Sequence, residues 1–176
     1  MAKDVPLEME WIPFEVHADT PPEGTLLSDM FPGTDFTRFY PKLAKRSGVP
    51  DLPFGVVTRL VNSRLSLKAM MLLRDTDIFP VFHENMFRAH FAEERNISLP
   101  ETIIDVARAS GLNDSQKLEA MLAAGGDPPG FADAVKLSRQ FLITGVPAFI
   151  INDTHRLVGV QPLEQFRETL HRLNLI

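Results

Sequence analysis

Cysteine, the residue that would carry thiol chemistry, does not occur in this chain of 176 residues. A chain without cysteine forms no disulfide, no thiolate metal site and no iron–sulfur cluster, and it has no cysteine nucleophile. None of these residues can therefore supply a thiolate.

Histidine is the next candidate for chemistry, and the most suggestive group is His83, Glu84 and His90. These two histidines are seven residues apart, whereas a zinc-binding HExxH motif needs a closer spacing on one helix face. We therefore predict no metal site and assign both imidazoles to a partly buried helix face. The chain also lacks the Gly-x-Ser-x-Gly turn of serine hydrolases and the glycine patterns of nucleotide-binding loops.

Residues 7–14 have the alternation expected of an early β-strand. Polar residues separate Leu7, Met9 and Trp11, a period of two that is typical of a strand with one buried face. Pro13 would end the strand, because proline cannot donate to a ladder.

Residues 62–142 are predicted to form five helices with no strand among them. The apolar residues Phe82, Met86 and Ala89 recur at helical spacing in this region. Ser98 and Glu101 match a capping box, which predicts that a helix begins there.

A different pattern follows this helical block. Residues 147–151 and 156–160 are rich in β-branched and aromatic residues, and they flank a short polar turn, which predicts a β-hairpin. Pro162 then starts a last helix with an apolar stripe. The order of strand, helical block, hairpin and helix favours an α/β core interrupted by a helical insertion.

The charge balance argues against two classes of partner. Lys and Arg number 18 against 23 Asp and Glu, a formal net charge of −5. Nucleic acids and anionic membranes both require a basic surface, so we expect neither as a partner. No apolar stretch approaches the roughly 20 residues of a membrane span, and the N-terminus lacks the apolar core of a signal peptide. We therefore expect a cytoplasmic protein.

The segment Thr144-Gly145-Val146-Pro147-Ala148-Phe149 resembles the cis-proline loop of thioredoxin-fold proteins. Further segments in the same order extend the likeness to the DsbA-like family over about residues 7–173. Within that family the chain is most similar to FrnE-type oxidoreductases, which also resemble 2-hydroxychromene-2-carboxylate isomerases and kappa-class glutathione transferases. The segments that carry this resemblance are Glu10-Trp11-Ile12-Pro13-Phe14-Glu15-Val16-His17, Thr20-Pro21-Pro22-Glu23-Gly24, Leu60-Val61-Asn62-Ser63, Phe87-Arg88-Ala89-His90-Phe91 leading to Asn96-Ile97-Ser98, and Gly159-Val160-Gln161-Pro162.

The resemblance implies a thioredoxin-like fold with an all-helical insertion. Residues 1–60 would form the N-terminal part of the core, residues 61–142 the insertion, and residues 143–176 the C-terminal hairpin and helix of the core.

Family members begin with a strand and a helix that carries Cys-x-x-Cys, and this sequence starts after both. Roughly 30 residues, the size of such a half-unit, are expected to be missing. The missing strand would be central, which would leave its two neighbours unpaired. We expect either that Met1 is an internal residue of a longer protein or that a truncated relative fills the gap, for example by strand exchange in a homodimer.

The resemblance also implies a substrate-binding site. Pro147 would be the cis-proline, and Val146 and Thr144 would flank the groove that holds a thiol substrate. Asn62 and Ser63 match a pair that lies near the active site in relatives, although either residue could simply cap the helix that follows.

Three functions follow as hypotheses. The first is a DsbA-like thiol–disulfide oxidoreductase, without a cofactor, whose partner is a thiol or disulfide substrate protein or a small thiol. In this cysteine-free form it would have no catalytic residue and no redox activity. The second is a glutathione-dependent isomerase or transferase of the same fold. The third is a non-enzymatic binding or dimerisation module.

Overall fold

The structure is a computed structural model that describes residues 7–47 and 53–176. The chain divides into two compact units, each described below by itself. A larger unit comprises His17–Ala132, and a smaller unit joins the N-terminal residues through Val16 to Asp133–Ile176. The three-part division expected from the sequence stays a prediction.

The larger unit is mainly helical. Its elements are β1 (Thr25–Leu26), α1 (Leu27–Met30), α2 (Phe36–Ser47), β2 (Arg59–Leu60), α3 (Arg64–Leu73), α4 (Phe79–Phe91), α5 (Pro100–Ala109) and α6 (Gln116–Ala124). Helix α7 (Phe131–Gln140) begins in this unit, and β3 (Ala148–Ile151), β4 (His155–Val158) and α8 (Leu163–Arg172) belong to the smaller one.

Helices α3 to α6 enclose the main hydrophobic core. Phe82 and Ile103 are fully buried and Leu118 is 1% exposed, and all three belong to one cluster. The apolar spacing that predicted helices therefore marks the faces that pack. The five predicted helices correspond to α3–α7. No helix of the described residues combines the length and apolar character needed to cross a membrane.

Two residues show how a second, aromatic core is built in the larger unit. Tyr40 is buried and stacks on Phe54 with ring centroids 6.1 Å apart. Burial raises the pKa of Tyr40, because the charged phenolate is disfavoured away from water.

Glycine is required where β1 meets β2. The strands pair antiparallel, with Thr25 opposite Leu60. Gly24, just before β1, has φ +74°, and a Cβ placed on it would lie 2.5 Å from the carbonyl oxygen of Leu60. The Arg59 guanidinium closes this junction by donating to the carbonyls of Glu23 and Gly24, both at 3.2 Å.

A buried lysine connects α3 to the segment after α6. Lys68, 4% exposed, donates to the Gly125 carbonyl at 2.7 Å and pairs with Asp127 at 2.8 Å. Arg64 lies 3.6 Å from the same carboxylate. The hydrogen bond from Lys68, aided by the charges of Lys68 and Arg64, lowers the pKa of Asp127. The buried ammonium group is thus paired with a carboxylate whose side chain is 42% exposed to water.

The smaller unit contains the predicted hairpin. Strands β3 and β4 pair antiparallel, with Phe149 opposite Leu157 and Ile151 opposite His155. Three residues connect the strands, and Asn152 and Asp153 have positive φ of 46° and 53°, a region that Asn and Asp tolerate in turns.

One apolar contact joins α8 to the hairpin. The ring of Phe149 on β3 packs edge-on against Phe166 of α8, with centroids 4.8 Å apart. Helix α8 begins directly after Pro162, so the predicted helix start is confirmed.

The predicted strand over residues 7–14 is wrong. The described ladders are β1–β2 and β3–β4, and neither includes this segment. Leu7 is 49% exposed and Met9 is 72% exposed, so the alternation does not bury one face. A period of two produces a strand only where a neighbouring strand completes the ladder.

The predicted capping box at Ser98 is also wrong. Helix α5 begins at Pro100, and its N-cap residue is Leu99. The Ser98 hydroxyl donates instead to the Asn96 side chain at 2.6 Å. Proline at the first helical position fixes the start of α5 one residue later than a cap at Ser98 would.

Replacing Gly24 by alanine tests the close approach between β1 and β2. We expect Gly24→Ala to lower the free energy of unfolding by more than about 2 kcal/mol, because both the positive φ and the carbonyl oppose a Cβ. Gly33 is a matched control, since it has φ +81° but nothing within 4 Å of the position that a Cβ would take. Gly33→Ala should cost only about 1 kcal/mol, from backbone conformation alone. Equal losses in urea denaturation would contradict the role of the contact.

The lowered pKa of Asp127 predicts a pH-dependent contribution to stability. Above the unfolded carboxyl pKa of about 3.9, Asp127→Asn should lower the unfolding free energy by about 1 kcal/mol, because the buried Lys68 ammonium loses its countercharge while water screens the 42% exposed carboxylate. The difference between the two proteins should vanish as pH falls through the lower, folded pKa.

The control is Asp133→Asn, which removes an exposed pair with Lys136 and should change stability by less than about 0.5 kcal/mol. Urea titrations at several pH values measure both variants. A loss at Asp127 that persists unchanged at the lowest pH would disprove the linkage.

Candidate functional site

Residues 144–147 form the loop between α7 and β3 in the smaller unit. The peptide bond between Val146 and Pro147 is cis. Thr144 and Pro147 are exposed, and the side chain of Val146 is 58% exposed. The three residues expected to contact a substrate therefore lie together on an accessible loop.

The loop is held at both ends. At its start, Ile143 donates its amide to the carbonyl of Ser138 at 2.8 Å, which closes the last turn of α7. At its end, the amide of Gly159 donates to the carbonyl of Pro147 at 2.7 Å. This last bond continues the β3–β4 pairing beyond the strand residues Ala148 and Val158.

Between these anchors the backbone is open. Within the part of the chain that the structure describes, the amide and carbonyl groups of Thr144, Gly145 and Val146 make no hydrogen bond. Backbone groups that lack a partner in the fold are available to water or to another extended chain.

Exposed apolar residues lie at the same end of the hairpin as the open backbone. Val158, opposite Ala148 in the ladder, is 41% exposed, and Val160, which follows Gly159, is 77% exposed. With Val146 they place three exposed valines at this end of the hairpin. The local chemistry is thus backbone hydrogen bonding combined with apolar contact.

Asn62 and Ser63 lie in the larger unit, at the start of α3. The Asn62 amide donates to the Thr20 carbonyl at 2.6 Å, and its oxygen accepts from the amide of Arg64 at 2.9 Å. Asn62 thus begins the helix and ties it to a preceding loop. Ser63 occupies the N-cap position, but its side chain caps no amide. A role for either residue in substrate binding stays a prediction.

The histidines that attracted attention in the sequence lie on α4. His83 lies between the rings of Phe79 and Phe87, with centroids 5.6 and 5.0 Å away. Burial lowers the pKa of His83 and of His90, and at His90 a backbone hydrogen bond at Arg95 opposes this effect. Among residues 7–47 and 53–176, no three His, Asp or Glu side chains are arranged to hold a metal ion.

Sequence reasoning missed three residues that shape the loop. Leu142 adopts a left-handed φ of 50°. Arg156 donates to the carbonyl of Phe141, just after α7, and the amide of Gly159 donates to the carbonyl of Pro147. Only Gly159 carried a usable signal, because a glycine after a strand often marks a positive φ. The contacts of Leu142 and Arg156 arise from folding and have no local sequence pattern.

Comparison with known proteins identifies the fold. A family model for the DSBA-like thioredoxin domain matches residues 3–171. The crystal structure of a probable DsbA oxidoreductase from Streptomyces coelicolor is similar, with a TM-score of 0.70 and 21% sequence identity. The match covers 90% of this chain and 72% of that one, and at this identity it concerns the fold alone. No curated protein matches the sequence. The predicted thioredoxin-like fold with a helical insertion is therefore confirmed.

Alanine substitutions separate the two residues at the start of α3. Asn62→Ala removes both a helix-start bond and a bond to the buried Thr20 segment, so it should lower the unfolding free energy by about 1–2 kcal/mol. Ser63→Ala, its neighbour control, should change it by less than about 0.5 kcal/mol, because the hydroxyl caps nothing. Thermal and urea unfolding measure both. A loss at Ser63 as large as that at Asn62 would refute this assignment.

Proposed function

Since the chain belongs to the family of DSBA-like thioredoxin domains, we propose that it binds an extended thiol- or disulfide-containing peptide at residues 144–147. We further propose that these 176 residues perform no disulfide exchange of their own. The chain would then contribute the substrate-holding part of a thiol–disulfide oxidoreductase.

One observation carries the binding proposal: the exposed loop has backbone groups without partners among the described residues. A peptide that adds to such a loop gains main-chain hydrogen bonds, and neighbouring side chains then set its specificity. Val146, Val158 and Val160 are exposed around this loop. They favour a peptide with apolar residues beside its cysteine.

The proposal that the chain performs no disulfide exchange of its own rests on its composition. Disulfide exchange begins when a thiolate attacks a disulfide sulfur and forms a mixed disulfide. The chain contains no cysteine, so a bound substrate could react only with a thiolate from outside these residues. The partner would be a substrate protein or a small thiol, while the cytoplasmic location remains a prediction.

The alternatives differ from this proposal in their ligand. A glutathione-dependent isomerase or transferase would bind a tripeptide thiol at the same loop, and a dimerisation module would bind a second copy. A titration with each ligand, combined with light scattering, separates them.

The main test is peptide binding by a pair of matched variants. The probe is a fluorescein-labelled, uncharged octapeptide with apolar residues around a central S-methylcysteine, which cannot undergo exchange. We expect Val146→Asp to weaken binding about tenfold, because a carboxylate would meet an apolar ligand. Val81 on α4 is 50% exposed, so Val81→Asp is a control of similar exposure and should change the affinity less than about twofold. Fluorescence anisotropy measures both.

Several outcomes would overturn the proposal. Failure of the wild-type chain to bind the octapeptide, or equal losses of affinity in both variants, would show that residues 144–147 are not the binding site. Micromolar binding of reduced glutathione without peptide binding would favour the isomerase or transferase. A stable dimer that does not bind the peptide would favour the dimerisation module. Turnover of a disulfide-linked fluorescent substrate above the buffer rate would disprove redox inertness.

A further inference from the structure

Helix α7 ends with an unusual residue, shortly before the proposed binding loop at residues 144–147. The amides of Leu142 and Ile143 donate to the carbonyls of Arg139 and Ser138, at 3.0 and 2.8 Å. This pattern ends many helices and places its first non-helical residue in the left-handed region, where glycine is strongly preferred. Here the residue is Leu142, with φ 50°.

The leucine is not compensated by packing. Its side chain is 69% exposed, so burial recovers little of the free energy that a left-handed conformation costs a residue with a Cβ. Glycine at this position would relieve the backbone at no loss of core contacts. The exposed apolar side chain lies two residues before the open backbone of residues 144–146, where a bound peptide could contact it.

Arg156 stabilises this arrangement from the neighbouring strand. Its Nη1 donates to the carbonyls of Phe141 and Leu142, at 2.6 and 2.9 Å. A cationic donor at the carboxyl end of a helix satisfies carbonyls left open by the last turn and interacts favourably with the helix dipole. Arg156 therefore fixes the backbone at the point where the chain leaves α7 for the loop.

The two ends of the loop are consequently attached to the same strand region. Arg156 lies in β4, opposite Ile150, and Gly159 follows β4 and holds the Pro147 carbonyl. The intervening residues 144–146 keep their open backbone. Movement of the α7 end relative to β4 would change the spacing between the two attachments.

We infer that Arg156 is a positioning residue for the binding loop and that Leu142 is a further contact for the bound peptide. Arg156 holds Leu142 in its left-handed conformation and sets the entry of residues 144–146. Leu142 adds an apolar contact to that of Val146. This inference rests on the proposed function and concerns the length and specificity of the same site.

Leu142→Gly gives the sharpest test, because it should raise the stability of the chain while it weakens peptide binding. Glycine suits the left-handed backbone, so the melting temperature should rise by about 2–4 °C. Loss of the apolar contact should weaken binding of the S-methylcysteine octapeptide about fivefold. A rise in melting temperature with unchanged affinity would overturn the assigned contact. This variant is expected to fold, so the result stands independently of any change at Arg156.

Variants of Arg156 test positioning. Arg156→Met keeps the aliphatic stem and removes the donors, and it should weaken peptide binding about tenfold. Arg156→Lys restores a donor and should recover part of that loss. The control is Arg167→Met on α8 of the same unit, which removes the same charge from a surface pair with Glu164 and should leave the affinity within about twofold.

The results distinguish this inference from the underlying function. If the wild-type chain does not bind the octapeptide, the proposed function itself fails. If the wild type binds and Arg156→Met binds equally well, only the positioning role fails. The positioning role also fails if Arg156→Met and Arg167→Met weaken binding to the same extent, because the effect would then be one of net charge.

Discussion

One backbone hydrogen bond, from the amide of Gly159 to the carbonyl of Pro147, fixes the end of the proposed binding loop at residues 144–147. It extends the antiparallel pairing of β3 and β4 by one step beyond Ala148 and Val158. Strands this short have few ladder bonds, so each bond at the end of the hairpin determines where the adjoining loop lies. The turn at residues 152–154 and the packing of Phe149 on Phe166 support the same ladder from its other end and from one face.

The two units are stabilised in different ways, and the difference bears on the proposed binding site. The larger unit buries its apolar side chains in a continuous helical core and neutralises the buried Lys68 with Asp127. The smaller unit leaves Leu142, Val146 and Val160 exposed near residues 144–146, whose backbone groups have no partner among the described residues. A buried core resists change because any alteration of volume costs free energy. An exposed apolar surface beside open backbone groups can instead gain free energy by contacting a ligand.

Local sequence signals predicted the parts of the fold that depend on local interactions. The helices of residues 62–142, the hairpin and the start of α8 follow from periodicity, turn residues and proline. The strand predicted over residues 7–14 was wrong because a strand also needs a neighbouring strand distant in sequence. The pair β1–β2 has only two residues in each strand, too few for any periodicity to be visible. At the site, the motif around Pro147 predicted the loop, whereas the contacts of Arg156 arise only when α7 and β4 are folded together.

The proposed function requires that peptide binding and thiol chemistry be physically separable in this domain. A thiolate depends on one side chain and its electrostatic surroundings. The loop at residues 144–147 offers main-chain donors and acceptors, which persist whatever cysteines the chain contains. The absence of cysteine therefore leaves intact the loop geometry on which the proposed peptide binding rests. An exposed leucine at a position that favours glycine is the kind of feature expected if binding, rather than stability, has shaped this end of the molecule.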